Sequence, residues 1–231
     1  VAQRGHDQAA DDAAFAEAHF GLGGMHVHVH PFGRAIDEQR AGRVAVATEQ
    51  FPRTRGWQAG LRLGFRAEPL RTVLAERRRI GPLAVQRPFY PEGDLCHVYV
   101  LHPPGGVVGG DRLDIEVTAE PGARALLTTP GATKFYRSAG ERARQVQHIR
   151  VGAGGSIEWL PQENIFFPGA EVGLETRVDL QGDARLALWE IHCLGRPAIR
   201  EEFVQGHVDS RLSILRDGQP LLLERLRVAP D

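Results

Sequence analysis

The chain is poor in the residues that usually advertise a function. It has two cysteines, Cys96 and Cys193, far apart and in no CxxC pair. That excludes a disulfide-dense secreted scaffold and a local thiolate metal clip, and it fits a reduced, cytoplasmic setting. No apolar run is long enough to span a bilayer, so no membrane role is expected. The N-terminus carries acids and histidines where a secretory signal has a basic start and an apolar middle. Lys and Arg number 28 against 29 Asp and Glu, for a formal net charge of -1. Such a balance gives no general grip on nucleic acid. Catalytic signatures are missing too: there is no GxSxG and no HExxH. Gly131-Ala132-Thr133-Lys134 lacks a phosphate-cradling loop, and Gly152-Ala153-Gly154-Gly155 has Ile157 where a dinucleotide loop has its third glycine.

What is present is β texture. From Trp57 onward LAVQRPF, CHVYVLH, LDIEVTA, SIEWL, TRVDL, RLALWEI and RLSIL are short, rich in β-branched or aromatic residues, and separated by Gly, Pro and Asp. Asp217-Gly218 is a two-residue hairpin signal. Helix is expected at Leu70 to Arg79 and around Lys134 to Gly140. Residues 1–56 read as a poorly ordered N-terminal extension and 57–231 as one β domain. Pattern alone leaves sandwich, barrel and β-helix-like stack open. The densest punctuation runs from Gly81 to Asp111, where Phe89-Tyr90-Pro91, His102-Pro103-Pro104-Gly105-Gly106 and Gly109-Gly110-Asp111 fix the chain path.

Several side chains are candidates for chemistry. His26, His28 and His30 alternate in HVHVH, so an extended segment would line up three imidazoles for a borderline metal; the competing reading is a solvated tail that chelates weakly. Asp111 follows a glycine turn and either meets a cation or caps nearby backbone N–H groups. Asp114 and Glu116 share the opposite face of their strand. Glu163 sits between apolar segments, where an unpaired charge is costly. His192 and Cys193 are neighbours and point to opposite faces, so they cannot share one ion, and the same parity separates His97 from His102. Arg196 is suited to clasp a carboxylate.

WQAGLRLGF, the Gly81 to Asp111 stretch, LLTTPGATKFYRS, GGSIEWLPQENIFFPGAE, LWEIHCLGRPA and RDGQPLLLERLRV, in that order, closely resemble the urease accessory protein D family. The resemblance implies a mainly β, β-helix-like stack of short strands with a few short helices. It implies a non-enzymatic factor that docks on the urease subunits with accessory protein F and the GTPase G, and passes nickel inward. Nickel is then cargo in transit, with no tightly bound cofactor, and Asp111 and Glu163 are the positions carried over to its path. Removing either is expected to cost roughly 1 kcal/mol or less, unless a buried arginine such as Arg196 holds it. Residues 1–56 match nothing in the family, and its C-terminal portion is expected to be missing. The rivals are a β-helix hydrolase or sugar-modifying enzyme using acid pairs such as Asp111 and Asp114, and a binding-only β scaffold.

Overall fold

The computed structural model describes residues 56–229, which fall within the unit Gln50–Asp231. His26, His28 and His30 lie outside the described residues. The chain winds as a three-faced parallel β-solenoid. One face holds β1 (Gln58–Ala67), β5 (Arg112–Ala119), β8 (Ala143–Val151), β11 (Ala170–Leu180) and β14 (Gly206–Arg216), paired in parallel in that order. The second stacks β4 (Cys96–Leu101), β6 (Arg124–Thr128), β9 (Ser156–Trp159) and β12 (Arg185–Leu188). The third stacks β7 (Thr133–Phe135), β10 (Asn164–Phe166) and β13 (His192–Leu194). Three successive coils therefore visit the faces in the same order. Antiparallel strands flank the stack: β2 (Thr72–Ile80) beside β1, β3 (Ala84–Val85) beside β4, and β15 (Gln219–Val228) beside β14.

In-register pairing places like on like. Inward residues form columns such as Val107–Phe135–Phe166 and Val98–Leu127–Trp159–Leu188. The Phe135 and Phe166 rings stack with centroids 5.2 Å apart. β5 and β8 alternate between buried and more exposed residues along their length, the signature of strands with one face inside. The chain turns from the first face to the second through Gly122, Gly154 and Gly182, at φ of 73°, 68° and 52°. That left-handed backbone is cheap only for glycine. GAGG is therefore a solenoid corner, and Gly155 sits so close to Gly152 O and Ala123 O that a Cβ would meet both within 3.0 Å.

The hairpin at Asp217-Gly218 forms as expected, with φ of 49° and 79° joining Arg216 to Gln219. The helix expectation at Leu70 to Arg79 is corrected: those residues form β2, an edge strand whose Arg77, Arg78 and Arg79 are exposed. Tertiary pairing with β1 overrides the local signal, and the basic run blunts a free sheet edge. Lys134 to Gly140 is corrected likewise, because its first residues pair with β10 inside the solenoid. The helical content of the described residues is a 3₁₀ turn at Pro197–Ile199, and none of their helices is long and apolar enough to cross a membrane.

The core is set by the columns, so truncation inside one should cost far more than truncation on the last hairpin. Leu127 is fully buried and Leu223 is 70% exposed. Leu127→Ala is expected to lower stability by about 2–5 kcal/mol, and Leu223→Ala by about 0.5 kcal/mol or less. Denaturant midpoints of the two variants check this, and equal shifts would contradict the column packing.

Candidate functional site

Two columns on the first face change character part-way along the stack. Leu61 and Ile115 are followed by Gln147 and Thr176 before Leu212 restores an apolar residue. Beside them Ala59 and Leu113 are followed by Gln145, Leu174 and Ser210. All four polar side chains are buried, Thr176 at 1% exposure. Across the interior Asn164 of β10 is buried, and Glu190 and His192 lie at the corner that leads into β13. An apolar solenoid thus carries a polar lane through its middle coils.

The lane opens into a cavity of about 200 Å³ lined by Gln145, Gln147, Trp159, Asn164, Glu190 and His102, among others. Two buried groups facing it lack a protein partner, the Trp159 indole N–H and the Gln147 Oε1. A donor and an acceptor left bare cost about 1–3 kcal/mol each unless solvent or a ligand meets them. A cavity of this size admits several waters. Next along the lane the Thr176 hydroxyl donates to Glu190 Oε1 at 2.5 Å. Glu190 Oε2 lies 3.8 Å from His192 Nε2, and His192 Nδ1 is a third bare buried atom. Glu190 also lines a second cavity of about 520 Å³, shared with His192, Ser210, Leu212 and Glu224. The lane therefore joins two cavities at one carboxylate.

Burial sets the charge states at its two ends. His192 titrates below the ordinary imidazole value because desolvation disfavours its cation, with Glu190 opposing. His102 is lowered for the same reason, with Asp111 opposing. In both, burial favours the neutral imidazole.

The side chains singled out by sequence fall elsewhere. Asp111 is 4% exposed, and its two oxygens accept the N–H groups of Trp57, at 2.7 Å, and Val108, at 2.9 Å. It locks the glycine turn to the start of β1, as the capping alternative requires. Glu163 is half-buried next to Asn164; its carbonyl accepts from Thr133 N, and it lines neither cavity. The structure does not bring Asp111 and Glu163 together on a common cavity wall. Asp114 points outward and is clasped by Arg112, so it does not converge with Asp111. Arg196 makes the bidentate clasp expected of it, but to the nearby Glu201. Cys193 bonds toward Gly195 O and lines neither cavity.

The residues that sequence reading passed over were Gln145, Gln147, Thr176 and Glu190. Their signal is parity. Gln145 and Gln147 sit in step with Ala143, Ile149 and Val151, on the inward side of an otherwise apolar alternation. Glu190 is two residues from His192 and so shares its side, the partner that adjacent Cys193 cannot be.

The family model for the UreD urease accessory protein matches residues 58–231. This chain belongs to the UreD family. It is 58% identical over 180 residues to a urease accessory protein UreD of Alcanivorax borkumensis, covering 76% of this chain and 61% of that one. It is 54% identical over 186 residues to that of Pseudomonas putida W619, covering 80% and 67%. For the Escherichia coli protein the identity is 53% over 171 residues, covering 74% and 62%. The chain thus spans about two thirds or less of the length of these UreD relatives.

Asp111 gives the prediction here. Its removal strands two N–H groups in a turn, so Asp111→Ala should cost about 3 kcal/mol, more than a path-lining carboxylate would. Asp114→Ala removes a half-exposed pair with Arg112 and should cost about 0–1 kcal/mol. Thermal melts of both variants check this, and equal small shifts would return Asp111 to a role outside folding.

Proposed function

We propose that this chain is a urease maturation factor that docks on apo-urease with accessory protein F and the GTPase G, in the cytoplasm, and passes nickel inward through the solenoid. Membership of the UreD family supports the maturation role. The observation that supports the passage is the polar lane, since a solenoid selected only for stability has no reason to replace apolar columns by Gln147, Thr176 and a carboxylate. Nickel is the cargo, and no resident cofactor is needed.

The donor set suits transit. A borderline divalent ion is held weakly by scattered oxygens and single nitrogens, and tightly by thiolate or multi-histidine cages. Neither cysteine lines either cavity. Among the described residues there is no group of three or more His, Cys, Asp or Glu placed to hold a metal. We assign the route to His102, Gln147, Thr176, Glu190 and His192, in place of Asp111 and Glu163, because these five line the cavities or join them. The hydrolase reading loses its acid pair, because Asp111 faces inward under backbone N–H groups and Asp114 faces outward under Arg112.

The test is to dry the lane and leave the surface untouched. Gln147→Leu and Thr176→Val, each close in volume to the native residue, should leave assembly with F, G and urease unchanged. Nickel per urease active site should fall several-fold in each. Full nickel loading in an intact complex would support the binding-only scaffold in place of a passage.

A further inference from the structure

We infer that the outward side of the first face carries a docking notch for an acidic side chain of a partner protein, centred on Arg142 and Arg144. The inference rests on the maturation reading above and not on the passage. In-register stacking puts Arg112, Arg144, Gly173 and Asp209 in one outward column. Gly173 interrupts that column of long side chains, and a notch of about 160 Å³ lies there. Its charged walls are Arg142, Arg144, Arg211, Glu175 and Asp209. The backbone does not require the glycine, because Gly173 is not among the positive-φ residues. A Cβ there would meet only the Arg142 side chain, at 3.5 Å, an ordinary contact. What the glycine contributes is the space.

Elsewhere the outward charges of this face pair with one another. Arg62 meets Glu116 at 3.0 Å, Arg112 meets Asp114 at 2.7 Å, and Arg177 meets Asp179 at 3.0 Å. Asp209 is engaged too: Arg225 clasps it at 2.9 and 2.8 Å, and Arg211 adds a longer bond of 3.4 Å. Arg142 and Arg144 differ. Both are exposed, and among the described residues neither guanidinium is in an ion pair or a side-chain hydrogen bond. Two bare guanidiniums at the wall of a notch offer planar donor forks, the geometry that matches a carboxylate. Protein on several sides excludes part of the solvent, so a pair made there is stronger than one on open surface. Glu175 narrows the occupant further. Its carboxylate on the opposite wall repels a polyanion, whereas a single carboxylate carried on a protein surface can settle on the arginine side.

The experiment measures binding of the full chain to purified F, G and apo-urease separately, with a thermal melt of each variant. Arg142→Ala, Arg144→Ala and Gly173→Asn should each weaken binding of one and the same partner by about tenfold or more. Their melts should not move. Arg144→Glu should lose more than Arg144→Ala, because it sets like charges against each other. Arg150→Ala lies on the same strand and face, outside the notch and already beside Glu116 and His148, and should leave binding unchanged. Unaltered binding across the notch variants, or a matching loss in Arg150→Ala, overturns the notch. Equal loss in Arg144→Ala and Arg144→Glu overturns the acidic occupant. If Gly173→Asn lowers the melt, the two exposed arginines decide. The readings separate cleanly. Loss of one partner in Arg144→Ala, with normal urease nickel in Gln147→Leu, keeps the notch and sinks the passage. Partner binding by the unaltered chain that no notch variant changes sinks the notch and keeps the maturation reading. Binding of none of the three by the unaltered chain sinks both.

Discussion

The constraint on which everything else depends is in-register parallel stacking. Once β5, β8, β11 and β14 pair in register, each inward residue must sit on the inward residue of the coil before it. A column is then a single physical object, and a polar residue in it is a choice made against the packing of its neighbours. Interior hydrophobic burial is worth roughly 25 cal/mol per Å², so every Gln or Thr placed there gives up stability that an apolar residue would supply. Gln147, Thr176 and Glu190 fall where two cavities meet, and three of the bare buried polar atoms lie along the same line.

Much of this architecture was legible in the sequence. β5 and β9 follow the apolar alternation residue for residue, and the Asp-Gly hairpin forms where its turn chemistry requires. The stack itself was not readable from periodicity. Arg112 pairs with Arg144, Arg144 lies opposite Gly173, and Gly173 opposite Asp209, at uneven spacings that hide the repeat. β2 was misread because its basic run imitates a helix terminus while serving as an edge guard. The resemblance to a family supplied the fold class that pattern could not choose.

The candidate site was less legible for a different physical reason. Sequence reasoning favours carboxylates on conspicuous glycine turns, and Asp111 is one. Its oxygens, however, meet two backbone N–H groups, the commonest use of a carboxylate in such a turn. Glu190 stands in an irregular corner between β12 and β13, with no motif around it beyond a histidine two residues on. Its importance is visible only when Thr176, from another coil, is seen to hold it. Parity would have found the glutamines; the carboxylate needed the fold.

The central claim is that the polar lane is a wet passage running through the otherwise apolar core of the middle coils. A high-resolution crystal structure of the protein tests it most directly, through ordered solvent around Trp159 Nε1, Gln147 Oε1 and Glu190. A continuous chain of solvent joining these three groups to both cavities is the predicted result. A dry interior, with Gln147 and Trp159 turned onto protein partners and the cavity closed by neighbouring side chains, would contradict it.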